Sequence, residues 1–323
     1  MAARIASMHF AILAAPDSWY ARDLIRAAGS KYQLTIAAFS EIAATLGRHG
    51  ELTITSGETN LSACDAILVR TMPPGSLEQV VFRMDCLARY EAAGGVAINP
   101  AKAVEAAVDK FLTSAKLSAA GLLTPRTIAC QTWEQGMAAF SELGGDVVVK
   151  PLFGSEGRGL IRLQDESLAL RAFKMLAQLG AVLYVQEFVP HEGEDWRLLV
   201  LGEQVFGMRR RNTLDWRTNV SRGASTAPLE VTAELRDLAQ RAAAAVRAPF
   251  AGVDILPARD GQLYLIEVNA VPGWKALART LGVDIAAQLL DFTASSVHSS
   301  RDAAQKNAGA SGFPRSSGNA GSN

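Results

Sequence analysis

The pattern of apolar and polar positions divides the chain into short apolar runs and longer amphipathic stretches. HFAILAA, from His9, is an apolar run that predicts a buried strand. SWYARDLIRAAGSK follows with helical spacing through Tyr20, Leu24 and Ile25 and a glycine near its end. QLTIAAF and DAILVR read as strands, LEQVVFRMDCLARYEAAG as a helix stopped at Gly94-Gly95, and VAINP as a last short strand. Strands alternating with helices predict a parallel sheet over residues 1–99. Residues 100–185 have another texture. PAKAVEAAVDKFLTSAKLSAAGLLTP predicts two short helices with Gly121 and Pro125 as stop signals. DVVVKP is a buried strand, LFGSEGRG a glycine-rich loop, GLIRL a strand, SLALRAFKMLAQLG an amphipathic helix and AVLYVQEFV a strand. Residues 186–292 add WRLLVLG and EQVFGMRRR, the helix AELRDLAQRAAAAVRA, a hairpin in GVDILPARDGQLYLIEVNAVPG and a final helix, DIAAQLLDF. The stretch 293–323 is dominated by Ser, Gly, Ala and Asn, and its predicted state is disorder.

The hairpin carries the strongest chemical signal. With a two-residue turn at Asp260-Gly261, counting outward places Asp254 opposite Glu267. Like charges facing each other across so apolar a ladder repel, unless a cation holds them. Asn269 lies two residues beyond Glu267 and shares its face. Two carboxylates and an amide oxygen suit magnesium shared with a nucleotide phosphate. The bland reading is a set of solvent-facing strand residues.

Composition narrows the choice. Lys+Arg and Asp+Glu are equal at 32 each, so no overall field favours nucleic acid or an anionic membrane. No apolar run reaches the roughly 18 residues needed to span a bilayer. The N-terminus fits a first buried strand better than a signal peptide. Three scattered cysteines, Cys64, Cys86 and Cys130, lack metal-ligand spacing and read as buried thiols in a reducing cytoplasm. Four scattered histidines suggest neither a zinc site nor a triad. The first strand lacks a following G-x-G-x-x-G, which removes support for a dinucleotide site.

Other residues gain meaning beside the hairpin. Lys150 ends the run VVV and is aimed by the sheet. Gly154, Ser155, Gly157 and Gly159 follow it in a loop able to bring backbone N–H groups to an anion, although such loops are often plain hairpins. No Walker A motif is present, so the geometry would be a strand–loop–strand flap. Lys110 is a second phosphate candidate, for which an ordinary solvated helix lysine is the simpler reading. Gln186, Glu187, Phe188 and Val189 sit at a predicted hinge whose backbone can read adenine edges. Asp195 can accept from ribose hydroxyls or be a plain loop acid. Arg197, Arg209, Arg210, Arg211, Arg217 and Arg222 fall within 26 residues, with Asn219 among them. Arginine forks suit carboxylates and phosphates. For Arg210 a solvated strand face is the preferred reading. Arg70 ends a strand at the edge where open α/β sheets take ligands, or caps the surface.

In order, Asp109-Lys110, Val149-Lys150-Pro151 with its glycine loop, Gln186-Glu187-Phe188, Asp195-Trp196-Arg197, Arg217-Thr218-Asn219, Gly252-Val253-Asp254 and Glu267-Val268-Asn269 with Pro272-Gly273 resemble the ATP-grasp superfamily. More narrowly, they are similar to RimK-type glutamate ligases over about residues 65–292. The resemblance implies an α/β chain with an α+β lid, namely an ATP-grasp fold behind an N-terminal parallel-sheet domain. It implies ATP held by Lys110, Lys150 and the glycine loop, adenine bordered by Glu187 and Phe188, and ribose by Asp195. Two Mg2+ ions, or Mn2+, would sit on Asp254, Glu267 and Asn269, with Arg197, Arg217 and Asn219 as catalytic residues. The implied reaction phosphorylates an acceptor carboxylate, and the amine of L-glutamate then displaces phosphate. The segments RTMPPGSLEQVVFRMD and EVNAVPGWKAL look more like relatives acting on a one-carbon carrier coenzyme of the methanopterin or methanofuran kind. A protein C-terminus, glutathione-type peptide synthesis and a non-catalytic regulator are the competing readings. Trp274 can stack on a ring-bearing acceptor, although filling a gap beside the last helix is the simpler role. A cytoplasmic enzyme, in some relatives a homo-oligomer, completes the expectation.

Overall fold

The computed structural model describes residues 7–154, 158–218 and 223–310. The first sheet contains β1 (His9–Leu13), β2 (Gln33–Ala37), β6 (Ala66–Val69) and β7 (Val96–Ile98), in the order β2-β1-β6-β7 with every pair parallel. Helices α1 (Trp19–Ala28) and α2 (Leu77–Ala92) are the crossovers. Ser18 caps α1, and Ser76 with Gln79 forms a capping box on α2, satisfying N–H groups that the first helical turn leaves free. Between β2 and β6 the chain makes a small antiparallel sheet that the apolar pattern did not announce: β3 (Ile42–Leu46), β4 (Leu52–Ser56) and β5 (Thr59–Asn60). β3 is mostly exposed and β5 has two residues, so neither shows the apolar alternation that betrays a strand; in β4 the alternation of Leu52 and Ile54 with threonines is present but only a few residues long.

Helices α3 (Ala101–Val108) and α4 (Lys110–Ala119) meet at Asp109, which caps α4 through the Leu112 N–H. A second sheet, in the order β10-β9-β11-β8, contains β8 (Thr127–Cys130), β9 (Val147–Lys150), β10 (Ile161–Leu163) and β11 (Leu183–Glu187). Helices α5 (Trp133–Glu142) and α6 (Glu166–Gln178) cover it. Strands β9 and β10 are antiparallel and flank the glycine loop, the flap arrangement expected of it.

The third sheet, β14-β13-β12-β15-β16, contains β12 (Glu194–Leu201), β13 (Gln204–Arg211), β14 (Ser225–Pro228), β15 (Phe250–Pro257) and β16 (Leu263–Asn269). Helix α7 (Ala233–Ala245) packs on one face. Helices α8 (Lys275–Leu281) and α9 (Ile285–Ala310) follow. Among the described residues, no helix is long and apolar enough to cross a membrane.

Two boundaries differ from expectation. Ala103, Ala106, Leu117 and Leu122 share a core with β12, β15 and α7, while Ala101 and Val104 join the core of the first sheet, so the cores of α3 and α4 lie outside the lid. The expected disordered tail is also corrected, because α9 runs on through residue 310. Ala294 and Val297 are buried in the core beneath the first sheet, and Arg301 pairs with Asp65. Short side chains here let α9 lie close to the sheet, and alanine favours helix. Residues 311–323 lie outside the described residues.

Candidate active site

Asp254 and Glu267 are paired across β15 and β16, as counting from the turn predicted, but the route differs. Ala258 donates to Gln262, so three residues rather than two form the loop and shift the register by one. A β-bulge between Asp254/Ile255 and the opposing strand shifts it back. Strict alternation would put Leu265 and Glu267 on one face. The bulge instead sends Leu265 and Val268 into the core and leaves Glu267 facing the cleft with Asp254. Gly252 lies opposite Asn269.

The two carboxylates form a wall shared by two cavities. One cavity, of about 120 Å³, is enclosed by the second and third sheets; Lys110, Lys150, Gln186, Phe188 and Arg217 line it, with Leu256 and Ile266 along one side. The other, of about 690 Å³, opens towards α1 and α8. Arg210, Asp254 and Glu267 line both.

Lys150 is buried, and its ammonium donates to Gln186 Oε1 at 2.5 Å. Burial pushes its pKa down to about 8, opposed by the charge of Glu267 and assisted by Lys110. Gln186 in turn donates to Thr127 Oγ1 and the Tyr184 hydroxyl, which fixes its amide. Lys110 begins α4 and donates to the Gly154 carbonyl at 2.6 Å, tying the helix to the flap. Gly154 and Gly159 both have positive φ, +136° and +72°, and a Cβ on Gly159 would collide with Pro151. Ser155, Gly157 and Asn219 lie outside the described residues.

Other candidates land in the site but in altered roles. The N–H groups of Glu187 and Phe188 are already given to the carbonyls of Arg126 and Asp146, so they are not free to read adenine. The Glu187 carboxylate accepts from the Arg126 N–H. The Phe188 ring does line the smaller cavity beside Val189, with the Arg162 guanidinium 3.4 Å from its centroid and Trp216 at its edge. Asp195 is corrected more strongly. Both its oxygens accept from Arg210 at 2.6 Å, and Thr218 donates to one of them at 2.5 Å, so most of its accepting capacity is committed within the protein although it lines the smaller cavity.

Arg210 does not sit on the solvated strand face that its sequence context suggests. It is buried, holds Asp195 in a two-pronged pair and lies 3.1 Å from Asp254. Burial alone would lower its pKa, but Asp254 and Asp195 outweigh burial and raise it. The signal was available: counting outward from the Gly202-Glu203 turn pairs Asp195 with Arg210. Arg197, opposite Asp254 on the neighbouring strand, approaches its Oδ1 at 2.9 Å. A Cβ on Gly252 would meet this guanidinium and displace it, so glycine leaves room for the crossing. Arg217 lines the smaller cavity and is braced by Asp215 at 2.7 Å.

Arg70 is not on the surface. It donates to the Pro272 carbonyl at 2.6 Å and lies 4.5 Å from the Trp274 ring centroid, with Tyr20 and Phe250 around it. Burial lowers its pKa to about 10. Trp274 is fully buried and donates to Asp23, so it fills a gap rather than meeting an acceptor. Asn99, also fully buried, grips the hairpin's open end through the Phe250 and Ala270 carbonyls and the Phe250 N–H.

The donor set fits a hard divalent cation. Asp254 Oδ1 is buried and lacks a well-aligned hydrogen bond, even though two arginine nitrogens stand within ion-pair distance. Glu267 and Asn269 supply further oxygens on the same wall. Asn269 Oδ1 also accepts from the Val271 N–H, which sets its orientation.

A two-sheet clamp, lysines on one side and a carboxylate wall on the other, defines an ATP-grasp ligase. The chain belongs to the family of the RimK-like ATP-grasp domain, which matches residues 107–293. It is therefore an ATP-dependent ligase that forms carbon–nitrogen bonds. It is 30% identical over 317 residues to the tetrahydromethanopterin:alpha-L-glutamate ligase of Methanosarcina acetivorans, covering 86% of this chain and 95% of that one. To the enzyme of the same name from Methanococcus maripaludis it is 37% identical over 199 residues, covering 60% and 68%. The ribosomal protein bS6–L-glutamate ligase of Escherichia coli is 31% identical over 208 residues, covering 63% and 69%. In fold, the chain is similar to the ATP-grasp ligase PsnB complexed with a minimal precursor, Mg and ADP, with a TM-score of 0.70 at 21% identity, covering 89% of this chain and 97% of that one.

Proposed function

We propose that this ligase joins L-glutamate to a carboxylate of a small one-carbon carrier coenzyme of the tetrahydromethanopterin type. The carrying observation is the Asp254–Glu267 wall, which opens on one side to a lysine-lined cavity and on the other to a larger one. The smaller cavity takes the phosphate end of ATP, and the larger takes the acceptor. Tetrahydromethanopterin-named relatives that align with most of the chain support the choice of acceptor.

Lys110 and Lys150 hold phosphate oxygens, and Arg217 stands at the same end. Asp254, Glu267 and Asn269 hold Mg2+, which when bound neutralises phosphate charge. An acceptor carboxylate oxygen attacks the γ-phosphorus, and ADP leaves with the bond's electrons. The glutamate amine then attacks the acyl carbon, phosphate departs and the nitrogen loses a proton. Arg197 and Arg210, held against Asp254, keep positive charge at this junction. No nucleophilic side chain enters these steps; alignment and charge stabilisation carry them. Use of ATP and a coenzyme acceptor supports a cytoplasmic setting.

The test supplies enzyme, ATP, Mg2+, L-glutamate and tetrahydromethanopterin. ADP should form only when all are present, and mass spectrometry should show the acceptor heavier by one or more glutamyl residues. Turnover with the C-terminus of a ribosomal protein and none with the coenzyme would overturn the choice of acceptor.

A further inference from the structure

The larger cavity has a charge surplus that the reaction does not use. Its acids near α1 are already matched: Arg26 pairs with Asp284 at 2.8 Å and with Asp23 at 2.8 Å. Arg197 and Arg210 are committed to Asp254. Lys275 and Arg279 remain. They stand four residues apart on α8 and so share one face, and both line the cavity and are exposed at its mouth. Among the described residues, neither has an ion-pair partner. The Lys275 ammonium lies 5.2 Å from the Trp19 ring centroid, and Trp19 lines the same cavity.

We propose that Lys275 and Arg279 form an anion-recognition point that binds a second anionic group on the acceptor, distant from the carboxylate being activated. This rests on the ligase reading of the larger cavity. Free L-glutamate is the other source of such a carboxylate. The cavity's 690 Å³ is far more than one amino acid fills, and the pair lies at its mouth rather than at the junction, so the larger substrate reaches it. Trp19 offers an apolar face beside Lys275. The acceptor is thereby selected by two charges, one reacting and one held.

The test compares wild type with K275M/R279M and with the reversal K275E/R279E. Hydrogen bonds to charged groups contribute about 1.5–3 kcal/mol, or tenfold and more in affinity. The acceptor KM should rise about tenfold or more in the neutral pair and further in the reversal. The ATP KM, the kcat at saturating acceptor and the melting temperature should stay within about twofold or 2 °C of wild type. Raising ionic strength should raise the acceptor KM of wild type and leave that of K275M/R279M nearly flat. An unchanged acceptor KM overturns the proposal, as does a rise confined to the glutamate KM. If wild type gives no turnover with tetrahydromethanopterin, the acceptor reading fails separately. Calorimetric binding of N-acetyl-L-glutamyl-L-glutamate then decides: binding lost in K275M/R279M supports the anion point, whereas equal binding, or none to wild type, overturns it.

Discussion

Lys150 should trade stability for nucleotide binding. Its pKa is brought from 10.5 to about 8, chiefly by burial, which corresponds to about 3 kcal/mol of penalty for keeping the ammonium charged at neutral pH. The folded value lies below the unfolded one. The penalty is therefore fully present below pH 8 and is relieved as pH rises from 8 to 10.5, where the unfolded chain binds more protons. Lys150→Met removes the buried charge but leaves Gln186 Oε1 without its donor, which costs about 1–3 kcal/mol. The difference leaves the variant about 1 kcal/mol more stable at pH 7, or a few degrees in melting temperature. The same variant should raise the ATP KM tenfold or more, because a charged hydrogen bond to phosphate is gone. In wild type the ATP KM should be flat from pH 6.5 to 7.5 and climb about tenfold per pH unit once well above 8, as the protonated fraction falls. Thermal melts and initial rates over pH 6.5–9.5 check both halves. A variant that is clearly less stable than wild type at pH 7, or a wild-type ATP KM indifferent to pH up to 9.5, would refute the reasoning.

Three further outcomes test other parts of the structure. Arg210→Met leaves Asp195 buried without its cation, with Asp254 still held by Arg197, and should cost about 3–5 kcal/mol in urea unfolding, whereas a surface arginine would cost almost nothing. Glu267→Gln should lower kcat by about a hundredfold or more with little change in melting temperature, and full activity would remove the metal assignment. Val297→Asp places a charge in the core under the first sheet and should destabilise by about 2 kcal/mol or more in urea unfolding.

Asp254 meets Glu267 only because a bulge restores the register that the three-residue loop shifts; the sequence by itself determined the alternating elements of the first sheet and the strands around the glycine loop. Local patterns encode these: apolar runs, capping residues and turn signals act over a few positions. It also determined which oxygen and nitrogen groups the site contains. Only the tertiary structure decided which of them are free. The Gly202-Glu203 turn sets Asp195 opposite Arg210, but only the packed structure buries the pair and brings Asp254 and Thr218 to it. Glu187 and Phe188 lose their N–H groups to Arg126 and Asp146, which approach from other elements. Val297 reads as a lone apolar residue in a polar tail until α9 docks under the first sheet. Burial and partner choice depend on what arrives from far along the chain, and no local pattern records that arrival.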